Sequence, residues 1–225
     1  MDFSRIHEEA FSVEGVHFKK TKKRTNPKKA DPFLQLEGDL PILVAAPHSV
    51  RYISGKELKR SDIFTGAIAY LLNSYTGCHT LAVKKLYGGD PDSDEDDIFK
   101  NRVRELVGQN GIKLLLDFQG ASDEKPFDVN MVTFGSRTLL DMNELPSIFK
   151  RHLKEHGIAR AVRDHENLTE MPGSIIGFAS TNLGITALRL EITRRYRAPN
   201  GGGTEFNALF AGLAGALDEA GELLK

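Results

Sequence analysis

From Pro41 onward the chain alternates short, wholly apolar runs with longer stretches in which apolar residues recur every three or four positions. Ile42–Ala46, ILVAA, has no polar face and is too short for a helix, which predicts a strand covered on both sides. In Asp62–Tyr75 the spacing of Ile63, Ala67, Tyr70, Leu71 and Ser74 predicts a helix, and TLAVKKL, beginning at Thr80, predicts the strand that completes a βαβ unit. DSDEDDIFKNRVRELVGQNG reads as an acidic loop feeding an amphipathic helix that closes on Gly111; IKLLLDF after it is a buried strand. DVNMVTF, IARAVRD and Ile185–Thr193 predict further strands, with a helix over ELPSIFKRHLKEHG and a long terminal helix whose small residues permit close packing.

Strands separated by helices imply an α/β fold of three layers: a central mixed, mostly parallel sheet with helices on both faces. Residues 41–225 are expected to form a single α/β hydrolase-like domain. Residues 1–40 read as a partly irregular, basic arm, with seven Lys or Arg between Lys19 and Lys29. Such a run suits a polyanion, nucleic acid or protein partner, or simply a solvated connection. With 30 basic and 31 acidic residues among 225 there is no overall field to attract nucleic acid or a membrane, so neither is an expected partner. One cysteine, Cys78, and an N-terminus without a signal-peptide pattern point to the cytoplasm.

In open α/β sheets ligands bind at the carboxyl ends of the strands. Four places put polar groups there or near there. His48 and Ser49 follow the first strand after Pro47, and a neutral imidazole is a ready metal ligand. Asp117 and Gln119 leave the strand LLLDFQG beside Gly120, where an acidic residue can orient a neighbour. Glu191 interrupts LRLEIT; buried, it needs an arginine such as Arg194 or Arg195, a metal-activated water or a wet cavity. Asn101 and Arg102 offer an amide and a guanidinium to a substrate carboxylate. The acidic cluster Asp90–Asp97 reads either as a cation site or as a solvated helix start, and His165 either as a further imidazole for the site or as a loop residue. No Gly-x-Ser-x-Gly elbow surrounds Ser49.

In chain order PHSV, IFKNR, DFQG and RLEI resemble the N-formylglutamate amidohydrolase family, within the wider zinc carboxypeptidase and aspartoacylase group. Its members show a strand ending in Pro-His-Ser-Gly, then Asp-x-Asn-Arg, a strand ending in Asp-x-His, and a strand with Leu-Glu. The likeness runs from Pro41 to Arg197 and includes PGSIIGFASTNLGITALRLEITRRY. It implies a metal-dependent amidohydrolase cleaving an N-acyl, formylglutamate-like amide of a small carboxylated substrate. It implies His48 as a metal ligand, Asn101 and Arg102 as the carboxylate grip, and Glu191 as the general base. Three positions depart from the pattern: Arg51 stands where the wider group has the glutamate of His-x-x-Glu, Phe99 replaces an aspartate, and Gln119 falls on the second histidine. Asp62 is then the nearest replacement for the acidic ligand. Gln119 is either a weak ligand or, with Ser49, a substrate contact, and the cofactor is zinc or another divalent metal. The alternative is a family member that lost efficient catalysis and binds a carboxylate ligand.

Overall fold

Strands β2 (Ile42–Ala46) and β6 (Leu114–Ala121) run parallel at the centre of the sheet, with Ala45 beside Asp117. The structure is a computed structural model that describes residues 2–18, 24–166 and 173–225. Around this pair stand β1 (Phe33–Leu36), β5 (His79–Val83), β7 (Val129–Val132), β8 (Ala161–Arg163) and β9 (Thr186–Thr193), in the order β1-β5-β2-β6-β9-β7-β8. β5, β2, β6 and β9 are mutually parallel; β1 and β7 run antiparallel to their inner neighbours. The expected mixed, mostly parallel sheet is therefore present. A hairpin, β3 (Tyr52–Ser54) and β4 (Glu57–Lys59), stands apart from it.

Helices cover both faces. On one side α2 (Thr65–Thr76) packs on β2, β5 and β6, and α1 (Ile6–His17), α4 (Leu145–Glu155) and the terminal α7 (Thr204–Leu223) join it. On the other, α5 (Ile175–Asn182) packs on β6 and β9. This double cover is why β2 is buried at every position and needs no polar face. The α4–α7 contact is close because α7 offers glycine there: a Cβ on Gly215 would lie 2.7 Å from His152 Nδ1, and one on Gly212 3.2 Å from the Leu153 Cα.

Two local differences from the sequence pattern follow, and the first bears on the site. Helix α2 starts at Thr65 rather than Asp62, because Phe64 adopts a left-handed backbone (φ 68°) and Thr65 Oγ1 donates to the Asp62 carbonyl at 2.8 Å. That late start leaves Asp62 in a loop, free to face His48. Within residues 1–40, expected as a partly irregular arm, α1 buries Ile6 and Ala10 and β1 pairs with β5. Lys19–Lys23 lie outside the described residues. Among the described residues no helix is long and apolar enough to cross a membrane.

Candidate active site

β2 ends at Ala46, Pro47 cannot continue it, and His48 turns into a pocket beneath Tyr52. The two rings stack, with centroids 3.7 Å apart and planes at 14°. His48 Nε2 meets Asp90 Oδ1 at 3.1 Å, while Nδ1 faces Asp62 Oδ2 at 3.9 Å. Burial works against a charged imidazole, but Asp90, Asp62 and Asp92 outweigh it and hold the His48 pKa above its usual value. The Asp90 carboxyl, buried but bonded to His48, is held below the ordinary carboxylate range. Burial pushes Asp62 up, against the pull of His48, the Gly120 N–H that it accepts, and Arg197. Burial and the same three aspartates push the Tyr52 hydroxyl up to about 12.

The second half of the site comes from β6 and β9. Their register sets Asp117 beside Arg189 and Gln119 beside Glu191, and the period of two puts all four on one face. Asp117 is fully buried; its Oδ2 accepts from Arg189 Nε at 2.7 Å and from Gln119 Nε2 at 3.0 Å. Arg189 also pairs with Asp92 through Nη2. Its charge is thus bound between two carboxylates inside the protein, the arrangement a buried ion needs. Glu191 is the one partly exposed residue of β9, and its Oε2 accepts from Asn130 Nδ2 of β7 at 2.8 Å. Its partner is therefore an amide rather than the arginine pair Arg194–Arg195; Arg195 pairs with Glu205 instead.

The two halves meet at Asp62, whose carboxylate lies against the bare backbone of Gly120, next to Gln119. A side chain at 120 would displace these groups: a Cβ there would lie 2.6 Å from Asp62 Oδ1 and 2.7 Å from Arg197 Nη2. The structure thus brings His48, Asp62, Gln119 and Glu191 to one end of the sheet. Other expected site residues lie elsewhere. Ser49 is buried and its hydroxyl donates to the Ala46 carbonyl at 2.7 Å, so it is not presented to a ligand. Asn101 is exposed on α3 (Ile98–Asn110), where Oδ1 accepts from Arg104 at 2.6 Å. Arg102 turns to the sheet edge, over the Phe33 ring and bonded to Asp31, Gln35 and Glu105. The carboxylate grip assigned to this pair is not part of the assembly, because α3 points both side chains away from it. His165 is exposed and edge-on to Phe127.

The sequence pattern offered Asp90 and Asp92 only as members of the acidic cluster, and gave Arg189 no role. The acidic cluster divides its work: Asp90 and Asp92 serve His48 and Arg189, while Asp97 caps α3 by accepting from the Phe99 N–H at 2.7 Å. The available signal was Arg189 itself, a cation inside an apolar strand that demands an acidic partner.

Among the described residues no group of three His, Cys, Asp or Glu forms a metal centre. The facing pair His48 and Asp62 still suits a cation. With Nε2 held by Asp90, Nδ1 of a neutral His48 turns its lone pair toward the Asp62 carboxylate, so two acceptors face each other and call for a proton or a metal ion between them. Gln119 directs its NH2 end to Asp117, which leaves its Oε1 as the outward donor. One imidazole and one carboxylate suit a divalent cation, and an amide oxygen added to them would make a set of lower affinity for zinc than one with a second imidazole.

No family model matches the chain, and no curated protein does. Solved structures do. A bacteriophage poly-gamma-glutamate hydrolase is similar at 16% identity over 86% of this chain and 89% of that one, with a TM-score of 0.55. A succinylglutamate desuccinylase from Chromobacterium violaceum is 12% identical over 94% of this chain and 77% of its own, TM-score 0.53. A metallo-carboxypeptidase from Pseudomonas aeruginosa is 15% identical over 99% and 68%, TM-score 0.52. The chain has the fold that these proteins share.

Proposed function

We propose that the protein is a metal-dependent amidohydrolase that cleaves an N-acyl amide of a small carboxylated substrate, of the N-formylglutamate type. The observation that carries this reading is the facing pair His48 Nδ1 and Asp62 Oδ2 at the carboxyl end of β2, with Asp90 fixing the far side of the ring. Enzymes named as a poly-gamma-glutamate hydrolase, a desuccinylase and a metallo-carboxypeptidase on the same fold agree with it.

His48 and Asp62 would hold the cation, with Gln119 Oε1 as a third, weaker donor. When bound, a divalent cation polarises an amide carbonyl and lowers the pKa of a water molecule. Glu191 takes the proton from the attacking water and returns it to the leaving nitrogen. Asn130 orients the Glu191 carboxylate by donating to Oε2, which leaves Oε1 for the water. Asp90 fixes the His48 tautomer and ring plane. Arg189, sealed between Asp117 and Asp92, ties the acidic loop to the sheet beneath the reacting groups.

To test this, purified protein is stripped with a chelator, reloaded with Zn2+ or Mn2+, and assayed for release of formate from N-formyl-L-glutamate. Turnover that needs the cation and is lost in Glu191→Gln supports the reading; no turnover under any loading removes it. The second reading, a carboxylate-binding protein without turnover, draws on Gln119 being tied to Asp117 at the position of the family's second histidine. It requires ligand-induced thermal stabilisation that added metal leaves unchanged.

A further inference from the structure

A cavity of about 750 Å³ opens beside Asp62, and its wall carries four guanidinium groups: Arg51, Arg60, Arg194 and Arg197. Arg197 is buried, with Nη1 donating to the Ile63 carbonyl at 2.6 Å and Nε to the Ile192 carbonyl at 3.2 Å. Its Nη2 reaches the bare backbone of Gly120, next to Asp62 Oδ1. Among the described residues the side chains of Arg51, Arg60 and Arg194 make no ion pair. Of the acidic residues on the wall, Asp62 faces His48, and Asp123 and Glu124 sit on the exposed rim, where Asp123 accepts from the Arg195 N–H at 2.7 Å.

Like charges gathered around one cavity repel, and an anionic ligand relieves that repulsion. Arginine suits the task because its planar fork binds carboxylates with two parallel hydrogen bonds. We infer that Arg51, Arg60 and Arg194 form the substrate-anchoring subsite, and that it takes an acidic acyl-amino acid or short glutamyl chain bearing at least two carboxylates. The inference rests on the amidohydrolase reading and names its substrate class. It also assigns Arg51, at the position where a glutamate is expected, to substrate rather than to metal. The carboxylate grip thus lies beside Asp62, and Arg102, engaged with Asp31, Gln35 and Glu105, takes no part.

Binding is measured by calorimetry on the protein as purified, with glutarate, which has two carboxylates and no amide to cleave, and with butyrate, which has one. Glutarate should bind at least about tenfold more tightly, and Arg51→Gln and Arg194→Gln should each weaken it by roughly tenfold, the scale of one lost hydrogen bond to a charged group. Arg102→Gln should bind as the wild type does, and raising the salt concentration should weaken glutarate binding. No glutarate binding, equal binding of butyrate, unchanged binding in both arginine variants, or loss in Arg102→Gln would overturn the subsite. Because glutarate is not turned over, the two readings fail separately. Glutarate binding without formate release keeps the subsite and removes the hydrolase, while formate release with unaffected arginine variants does the reverse.

Discussion

The two halves of β6 obey different rules. Leu114, Leu115 and Leu116 are fully buried and serve only packing, whereas Asp117 to Ala121 carry a buried carboxylate, an amide and a glycine that lies under Asp62 and Arg197. β9 divides in the same way, with Ala187 and Leu188 before Arg189 and Glu191. The first half of each strand could be repacked with other apolar residues of similar volume. The second half could not, because each polar group is fixed by a named partner.

The largest effect should come from the polar half: Glu191→Gln should lower turnover by about 10²–10⁴-fold. Its melting temperature should stay close to wild type, since Asn130 can hydrogen bond to an amide as well. Next, Arg189→Met leaves Asp117 and Asp92 without their cation and should destabilise the fold by about 3–5 kcal/mol in denaturant titrations, the cost of breaking a buried pair. The double variant Arg189→Met with Asp117→Leu should recover part of that loss, which an apolar-half substitution would not. Leu116→Ala tests the apolar half, with an expected cost of about 2–5 kcal/mol and unchanged metal binding per folded molecule.

These contrasts also explain what could be read from the sequence. The strands β2, β6 and β9 and the mixed sheet were legible because two-sided burial enforces unbroken apolar runs such as ILVAA. α1 was not, since its seat against α2 and α7 is a tertiary contact and only Ile6 and Ala10 of the helix are buried. His48, Gln119 and Glu191 were legible as polar groups at strand ends, and Asp62 as the acidic residue near His48 to which the resemblance pointed. Asn101 and Arg102 were misplaced because a motif fixes the order of residues along a chain but not the direction in which a helix turns them. The pairing of Asp92 with Arg189 spans 97 residues of sequence, and no local pattern announces it.

Two smaller effects are expected. Gln119→His should tighten divalent metal binding by at least the roughly tenfold that outer-shell changes bring. It would supply the second imidazole at a half-exposed strand position and should leave stability nearly unchanged. Arg102→Gln should alter stability by no more than about 1 kcal/mol, as expected of a partly exposed ion pair, with no change in turnover.

On the proposed reading His48 and Asp62, facing each other at 3.9 Å, share a cation. Calorimetric titration of chelator-treated protein with Zn2+ tests it without reference to any reaction. One site should be seen in the wild type, weakened strongly in His48→Ala and in Asp62→Asn, and tightened in Gln119→His. Absence of a site in the wild type, or a site that both His48→Ala and Asp62→Asn leave intact, would contradict it.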